Sequence, residues 1–313
     1  MKRFLIFLII LTIPAFFYIF HIKKPVNSTI LIKKGDNLFK IADNLKNKDI
    51  ISSKILFLIY SKIRNKPLKA GYYEFKGDYS ISDVWYVLYK GKEKLVKITI
   101  NAGNNLFDIA KKLENKGIIK KDTFLKYAFD KDFLKSIGID KPSFEGYIYP
   151  DTYYISKISD VEEIFNMFFN RFKKEYKEFN INDEKFYKYM IVASLIEKES
   201  SKEDEKRIIA GIIYKRLKMK MPIQIDASNI YGLKLKGYEY INITKQIYKI
   251  DSPFNTYKHY GLPPTPICNF SKKSFYDAIN PAKTDYLYYF SKDGKTHIFS
   301  KTYKEHLRKL KNF

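Results

Sequence analysis

The longest unbroken hydrophobic stretch comes first. From Phe4 to Phe20 the chain runs 17 residues without a charge, bracketed by Lys2 and Arg3 before it and His21, Lys23 and Lys24 after it. A membrane-spanning helix needs about 20 apolar residues, with ~17 the short limit. Flanking cations extend such a span by snorkelling, and Tyr18 suits the interfacial belt. No small-x-small cleavage site precedes Lys23, so the pattern predicts an uncleaved single-pass anchor over residues 1–24. With a short tail left inside, residues 24–313 are expected outside. No later stretch is long and apolar enough to span again.

Beyond the anchor the pattern repeats. Lys33-Lys34-Gly35-Asp36-Asn37-Leu38-Phe39-Lys40-Ile41-Ala42 matches Asn101-Ala102-Gly103-Asn104-Asn105-Leu106-Phe107-Asp108-Ile109-Ala110 at an offset of 68 residues, and the match continues through Leu45/Leu113, Asn47/Asn115 and Ile50/Ile118. Each copy reads as strand, Gly turn and amphipathic helix, with Asp36 and Asn104 at the expected N-caps. Ala70 to Phe75 and Ser80 to Leu88 read as a strand and a helix, closing a small α+β module near residue 95. The first copy resembles the opening of a LysM module, a type that binds glycans containing N-acetylglucosamine. That resemblance makes residues 25–95 a LysM-like module and 97–130 its second copy, within a catalytic domain at 96–313.

The chemically suggestive segment is the apolar helix that contains Met190, Ala193, Leu195 and Ile196 and ends in Glu197-Lys198-Glu199-Ser200. Two residues apart on a helix do not share a face. One carboxylate should therefore meet solvent and the other the interior or a cleft. A carboxyl among apolar side chains has its ionised form disfavoured, as a general acid near neutral pH requires. An amphipathic helix follows from Arg207 to Leu217. Near the end, strands at Tyr286 to Phe290 and Thr296 to Phe299 flank Asp293-Gly294, a hairpin turn pair, and Lys301 to Leu310 read as a helix. The fold class expected is α+β: anchor, LysM-like module and mixed catalytic domain.

Composition narrows the partners. Hydrophobic residues make up 45% and charged ones 29%, enough for a sizeable core, and 58 Lys and Arg against 34 acids give a formal net charge of +24. Such a charge attracts anionic lipid, wall polymer or nucleic acid. The lysines are spread evenly, with no compact basic run or RNA-binding signature, which speaks against nucleic acid. Cys268 stands alone, so no intramolecular disulfide forms, and it reads as a small core residue. The four His are scattered without ligand spacing, so no metal site is expected.

Six blocks then fall in order: Phe144-Glu145-Gly146-Tyr147 to Tyr153; Ala193 to Ser201; Met221-Pro222-Ile223-Gln224-Ile225-Asp226; Ser252-Pro253-Phe254-Asn255-Thr256-Tyr257; Gly261-Leu262-Pro263-Pro264-Thr265-Pro266; and Asn280-Pro281-Ala282 to His297. This set resembles the endolytic murein transglycosylases, also called the YceG-like family. The resemblance implies a cofactor-free peptidoglycan lyase, held in the cytoplasmic (inner) membrane with its catalytic domain on the periplasmic or extracytoplasmic side. It puts the catalytic glutamate at Glu199, with Glu197 the alternative, and Ser200 after it where the family more often has Thr. Substrate-binding candidates are Glu145, Asp151, Gln224, Asp226, Asn255 and Tyr257. The resemblance also suggests work beside penicillin-binding proteins, ending nascent strands. Two other readings remain: a non-catalytic peptidoglycan-binding scaffold, or a hydrolytic muramidase with Asp151 or Asp226 as its second carboxylate.

Overall fold

The computed structural model describes residues 18–238, 247–291, 293 and 296–312. The expected spanning run, Phe4 to Phe20, lies outside these residues up to position 17, as does Gly294 of the expected hairpin turn. Among the described residues no helix is long and apolar enough to cross a membrane. The chain forms two compact units. One comprises the residues up to Lys97 together with Tyr154–Asp160, and the other Ile98–Tyr153 with Val161–Phe313. The α+β expectation holds, and among the described residues the strands pair two by two.

In the first unit, β1 (Lys24–Ile32) pairs antiparallel with β2 (Gly71–Tyr79), from Lys24 opposite Tyr79 to Ile32 opposite Gly71. Three helices, α1 (Leu38–Asn47), α2 (Lys54–Arg64) and α3 (Ile81–Lys90), close over the pair. Val26, Ile30 and Ile32 alternate inward from β1 to meet Ile41, Leu45, Phe57, Val84 and Leu88. Ser53 caps α2, and Ser80 and Asp83 cap α3 reciprocally. The unit also takes back a later segment: Ser156 Oγ donates to Glu93 (2.6 Å), and Lys157 Nζ lies 4.4 Å from the Tyr72 ring. The expected ranges 25–95 and 96–313 place Tyr154–Asp160 apart from this unit, since a short extended segment carries no periodic signal of membership.

The two repeat copies share their hydrogen bonds, and these correct the expected caps. The N-caps are Asn37 and Asn105, whose side chains accept from Lys40 N–H (2.9 Å) and Asp108 N–H (3.0 Å). Asp36 and Asn104 sit one residue earlier and close the preceding turn, accepting from Lys33 N–H (2.9 Å) and Asn101 N–H (3.0 Å). The turn places Gly35 and Gly103 at φ of 88° and 82°, a region L side chains rarely enter. It thereby spends the first polar side chain and leaves the cap to the second.

The second unit is helical and aromatic. The second copy's helix, α4 (Leu106–Asn115), is followed by α5 (Lys121–Ala128), α6 (Lys131–Ser136) and α7 (Val161–Glu175). Two short strands, β3 (Val96–Thr99) and β4 (Thr152–Ile155), come before α4 and α7 in the chain; Ile100 N–H donates to the Asp151 carbonyl (2.9 Å), and the Thr99 and Thr152 hydroxyls lie 3.0 Å apart. α7 buries Ile164, Phe165, Phe168, Phe169 and Phe172 on one face. Phe165 meets Phe124, Phe133 and Phe144 at ring-centroid distances of 4.8–5.1 Å. The central element is α8 (Glu184–Glu199), with every residue from Met190 to Ile196 buried. It is flanked by α9 (Glu203–Lys218), α10 (Asp226–Leu235) and α11 (Lys272–Ile279). A β-carbon at Gly211 of α9 would stand 2.3 Å from the Ala282 carbonyl oxygen, so only Gly lets the 280–284 strap lie on the helix. The hairpin of β5 (Tyr288–Ser291) and β6 (His297–Ser300) pairs Tyr289 with Phe299, and α12 (Tyr303–Lys311) follows it.

Candidate active site

The end of α8 divides its two carboxylates as the spacing demands, and both are satisfied by side chains that come from far along the sequence. Glu197 is anchored. Its Oε2 accepts from Ser271 N–H (3.0 Å), Ser271 Oγ (2.8 Å) and Ser274 Oγ (2.5 Å), and its Oε1 accepts from Lys206 Nζ (3.1 Å). Ser271 is the N-cap of α11, so the charge also rests at a helix N-terminus. Burial opposes ionisation here, but the Ser274 and Ser271 bonds and the Lys206 charge outweigh it and hold the carboxyl below its ordinary range. A carboxylate with this many donors is a fixed anion.

Glu199 is the opposite case. Among the described residues it accepts one hydrogen bond, from the Tyr289 hydroxyl at 2.9 Å. Burial is the largest influence and raises its pKa to about 7. The Tyr289 bond and the Arg216 charge pull downward, and the Asp226 charge pushes upward. The residue keeps part of its surface because a recess of about 490 Å³ opens beside it, lined by Glu197, Lys198, Glu199, Ser200, Ser201, Glu203, Lys206 and Ser271. A carboxyl that changes charge near pH 7 and is reachable from solvent can give a proton and take one back.

Asp226 begins α10 and receives two phenols, Tyr257 at 2.6 Å and Tyr248 at 3.3 Å, whose rings lie 4.6 Å apart. Burial, Asp226 and Glu199 together push the Tyr257 phenol far up, so it stays a donor. Gln224 is exposed in the left-handed region (φ 54°). Its backbone N–H is tied to the Thr256 carbonyl (3.1 Å), and its side-chain oxygen accepts from Arg216 (3.1 Å). Glu199, Asp226, Tyr257 and Gln224 are thus brought into one neighbourhood, with Arg216 shared among them.

Three other candidates lie differently. Asn255 is buried, and its side chain donates to the carbonyls of Tyr248 (3.1 Å) and Ile250 (2.7 Å) while accepting from Asn229 (3.2 Å) and Tyr257 N–H (3.1 Å). Glu145 has no exposed surface and accepts from Leu106 N–H (3.0 Å) at the start of α4. Burial lifts its pKa to about 8. Both stand in the sequence as candidates for sugar contact; here the polar atoms of the Asn255 side chain are taken up by these four partners, and Glu145 has no exposed surface. Asp151 is paired with Arg171 (2.6 Å), which lowers its pKa, and accepts from Thr152 N–H. Among the described residues no group of three or more His, Cys, Asp or Glu is placed to hold a metal ion.

A model of the YceG-like family matches residues 30–312. The chain belongs to the YceG-like family. It is 32% identical over 309 residues to the endolytic murein transglycosylase of Bacillus subtilis, covering 91% of this chain and 83% of that protein. It is 27% identical over 329 residues to the endolytic murein transglycosylase of Streptococcus pneumoniae, and there the match spans only 60% of the relative's length. The fold is similar to the crystal structure of a yceG-like protein from Listeria monocytogenes, with a TM-score of 0.60 at 30% identity, covering 91% of this chain and 99% of that one.

Several groups around Glu199 were not legible as site residues. Arg216 is buried. It donates to the carbonyls of Leu287 (2.8 Å) and Ile223 (2.9 Å) as well as to Gln224, and its guanidinium lies 5.4 Å from the Tyr288 ring. In sequence it is one more cation in an amphipathic helix. Tyr289 is one of 27 tyrosines. Only the spacing of the hairpin, with Tyr289 and His297 on facing strands, carried any signal.

Proposed function

We propose that this protein is a peptidoglycan lytic transglycosylase with Glu199 as its catalytic acid and base. The observation that carries the reading is the half-buried Glu199 carboxyl, bonded to Tyr289 beside an open recess, at the end of the central helix, in a YceG-like chain. The substrate is the β-1,4 bond from N-acetylmuramic acid to N-acetylglucosamine within a glycan strand. Protonated Glu199 gives its proton to the leaving oxygen. The carboxylate so formed takes the proton of the muramic 6-hydroxyl, which attacks the anomeric carbon, and a 1,6-anhydro end results without consumption of water. A pKa near 7 balances the two halves of this cycle. Asp226, held by Tyr257 and Tyr248, supplies negative charge against the cationic transition state. Gln224 is the exposed polar group nearest in the chain to Asp226 for holding sugar, and Asp151 remains a more peripheral candidate.

The residues before Lys24 form the single membrane anchor in this reading, and the catalytic unit works outside the cytoplasmic membrane beside the penicillin-binding proteins that extend glycan strands. The first unit is read as a LysM-like glycan-binding module. What supports this is a groove of about 470 Å³ between the start of α1 and the connection from α2 to β2, lined by Asp36, Leu38, Ile41, Ser61, Asn65 and Pro67 among others.

The test is product mass. Purified protein incubated with uncrosslinked glycan strands should release fragments ending in anhydro-muramic acid, one water lighter than reducing ends, and Glu199→Gln should release none. Reducing ends from the wild type would make the enzyme a muramidase, with Asp226 as the second carboxylate, since its charge acts on Glu199. Equal release by Glu199→Gln would refute the assignment of the acid.

A further inference from the structure

Immediately after Glu199 the chain turns, and the turn is held by a second carboxylate that the mechanism above does not use. Ser200 Oγ accepts from Lys202 N–H (3.0 Å) and donates to Glu205 Oε2 (2.9 Å), which fixes the connection from α8 to α9. The remaining capacity of Glu205 goes to one residue of β6. His297 N–H donates to Oε1 (3.1 Å), and its Nδ1 lies 2.7 Å from Oε2. The Glu205 carboxylate is ionised: burial opposes this, but the His297 and Ser200 bonds hold its pKa down. The proton at this contact therefore belongs to His297 Nδ1. A further bond ties the same turn to the same hairpin, from Lys202 Nζ to Thr296 Oγ1 (2.7 Å). The facing strand carries Tyr289, the donor to Glu199, whose ring lies 5.4 Å from the His297 ring, edge to face.

We propose that Glu205 and His297 are positioning residues that clamp the C-terminal hairpin to the turn after Glu199, so that Tyr289 and the hairpin's bulk stay seated on the catalytic carboxyl. The inference rests on Glu199 being the acid. The groups acting on that carboxyl come from three elements and one loop: Tyr289 of β5, Arg216 of α9, Asp226 of α10, and Tyr257. Of these Tyr289 sits on the clamped hairpin itself, and Arg216 is tied to its start through the Leu287 carbonyl (2.8 Å) and the Tyr288 ring. If the hairpin lifts, Glu199 loses both the shielding that raises its pKa and the Tyr289 bond that lowers it. Burial is the largest influence on this carboxyl, and opening it to water moves its titration toward lower pH.

The experiment compares His297→Ala with His297→Asn, whose amide N–H can replace Nδ1–H as the donor to Glu205. Two readouts are used: kcat and KM for anhydro-end release against pH, and the titration of Glu199 itself by 13C NMR of glutamate-labelled protein, assigned with Glu199→Gln. His297→Ala should lower kcat about tenfold to a hundredfold with little change in KM, and move the Glu199 titration and the alkaline limb of kcat toward lower pH. His297→Asn should restore both. A Glu199 titration unmoved in folded His297→Ala overturns the clamp even if kcat falls, because a merely structural loss would cut the active fraction and leave the titration alone. The NMR readout stands even if the wild type yields no anhydro ends, which would instead sink the function reading.

Discussion

Replacing Glu199 by Gln should stabilise the fold at neutral and alkaline pH while removing activity. An unfolded glutamate ionises near 4.5, whereas burial has raised Glu199 to about 7. At ~1.4 kcal/mol per pH unit, ionising it in the folded state costs roughly 3 kcal/mol more than in the unfolded chain. The recess lets water reach part of the residue, so solvent screening trims the expected effect to about 1–3 kcal/mol. The sign follows from proton counting. Between pH 4.5 and 7 the folded state keeps a proton that the unfolded state has released, so this group's contribution falls as pH rises. Below 4.5 both states are protonated, and Gln imitates the neutral acid. The stability difference, Gln variant minus wild type, should thus be near zero in acid, grow through pH 5–7 and level off above. Urea unfolding at pH steps from 4 to 9 reads it directly, and melting temperatures should separate by roughly 2–4 °C per kcal/mol. A flat difference across that range, or a variant less stable than wild type at pH 8, would refute the argument, since either means the folded carboxyl is not held protonated.

Glu197→Gln should behave in the contrary way: it leaves Lys206 buried without its anion and should cost about 3–5 kcal/mol at pH 7 in urea unfolding. Because Glu197 has a lowered pKa, that cost should shrink as pH falls through the acid range, and the pH profile of any residual activity should keep its alkaline limb. Tyr289→Phe removes a bond to the ionised Glu199, and such bonds contribute about 1.5–3 kcal/mol, so the alkaline limb of kcat should rise by about one to two pH units. Asp226→Asn removes a charge that raises the same pKa, so the limb should fall, and both shifts are read from kcat against pH. Gly211→Ala drives a methyl into the Ala282 carbonyl and should destabilise by about 1–3 kcal/mol in thermal melting.

The repeat, the apolar helix ending in Glu-x-Glu and the terminal hairpin were all readable, because each combines a clear period with a turn signal within a short window. Helix ends moved by only a few residues: Ser80 to Leu88 became Ile81–Lys90, and Lys301 to Leu310 became Tyr303–Lys311. The fate of the two glutamates was not readable. Spacing says that Glu197 and Glu199 diverge, but it does not say which meets donors. That depends on Ser271 and Ser274, 74 and 77 residues along the chain from Glu197, and on Tyr289, 90 residues from Glu199. Asn255 and Glu145 stand in the sequence only as candidates for sugar contact. Burial, which no local pattern reports for a polar side chain, turned one into a loop bracket and the other into a buried acid.

The two copies of the repeat show how the same local chemistry acquires different roles. Both turns are built alike, with Gly in the left-handed region, an Asp or Asn closing the turn and an Asn capping the helix. Those bonds are satisfied within a few residues, so the motif folds the same way wherever it is placed. What the second copy joins lies at the start of its helix. In the second copy Leu106 N–H meets the buried carboxyl of Glu145, and Gly103 N–H and the Asn104 carbonyl pair with the backbone of Asn269, just before the Ser271 that holds Glu197. The second copy therefore braces the segment that fixes Glu197 and, through α8, the helix end that presents Glu199. Its place in the second unit is structural support for the end of α8, and its likeness to the first copy lies in the turn.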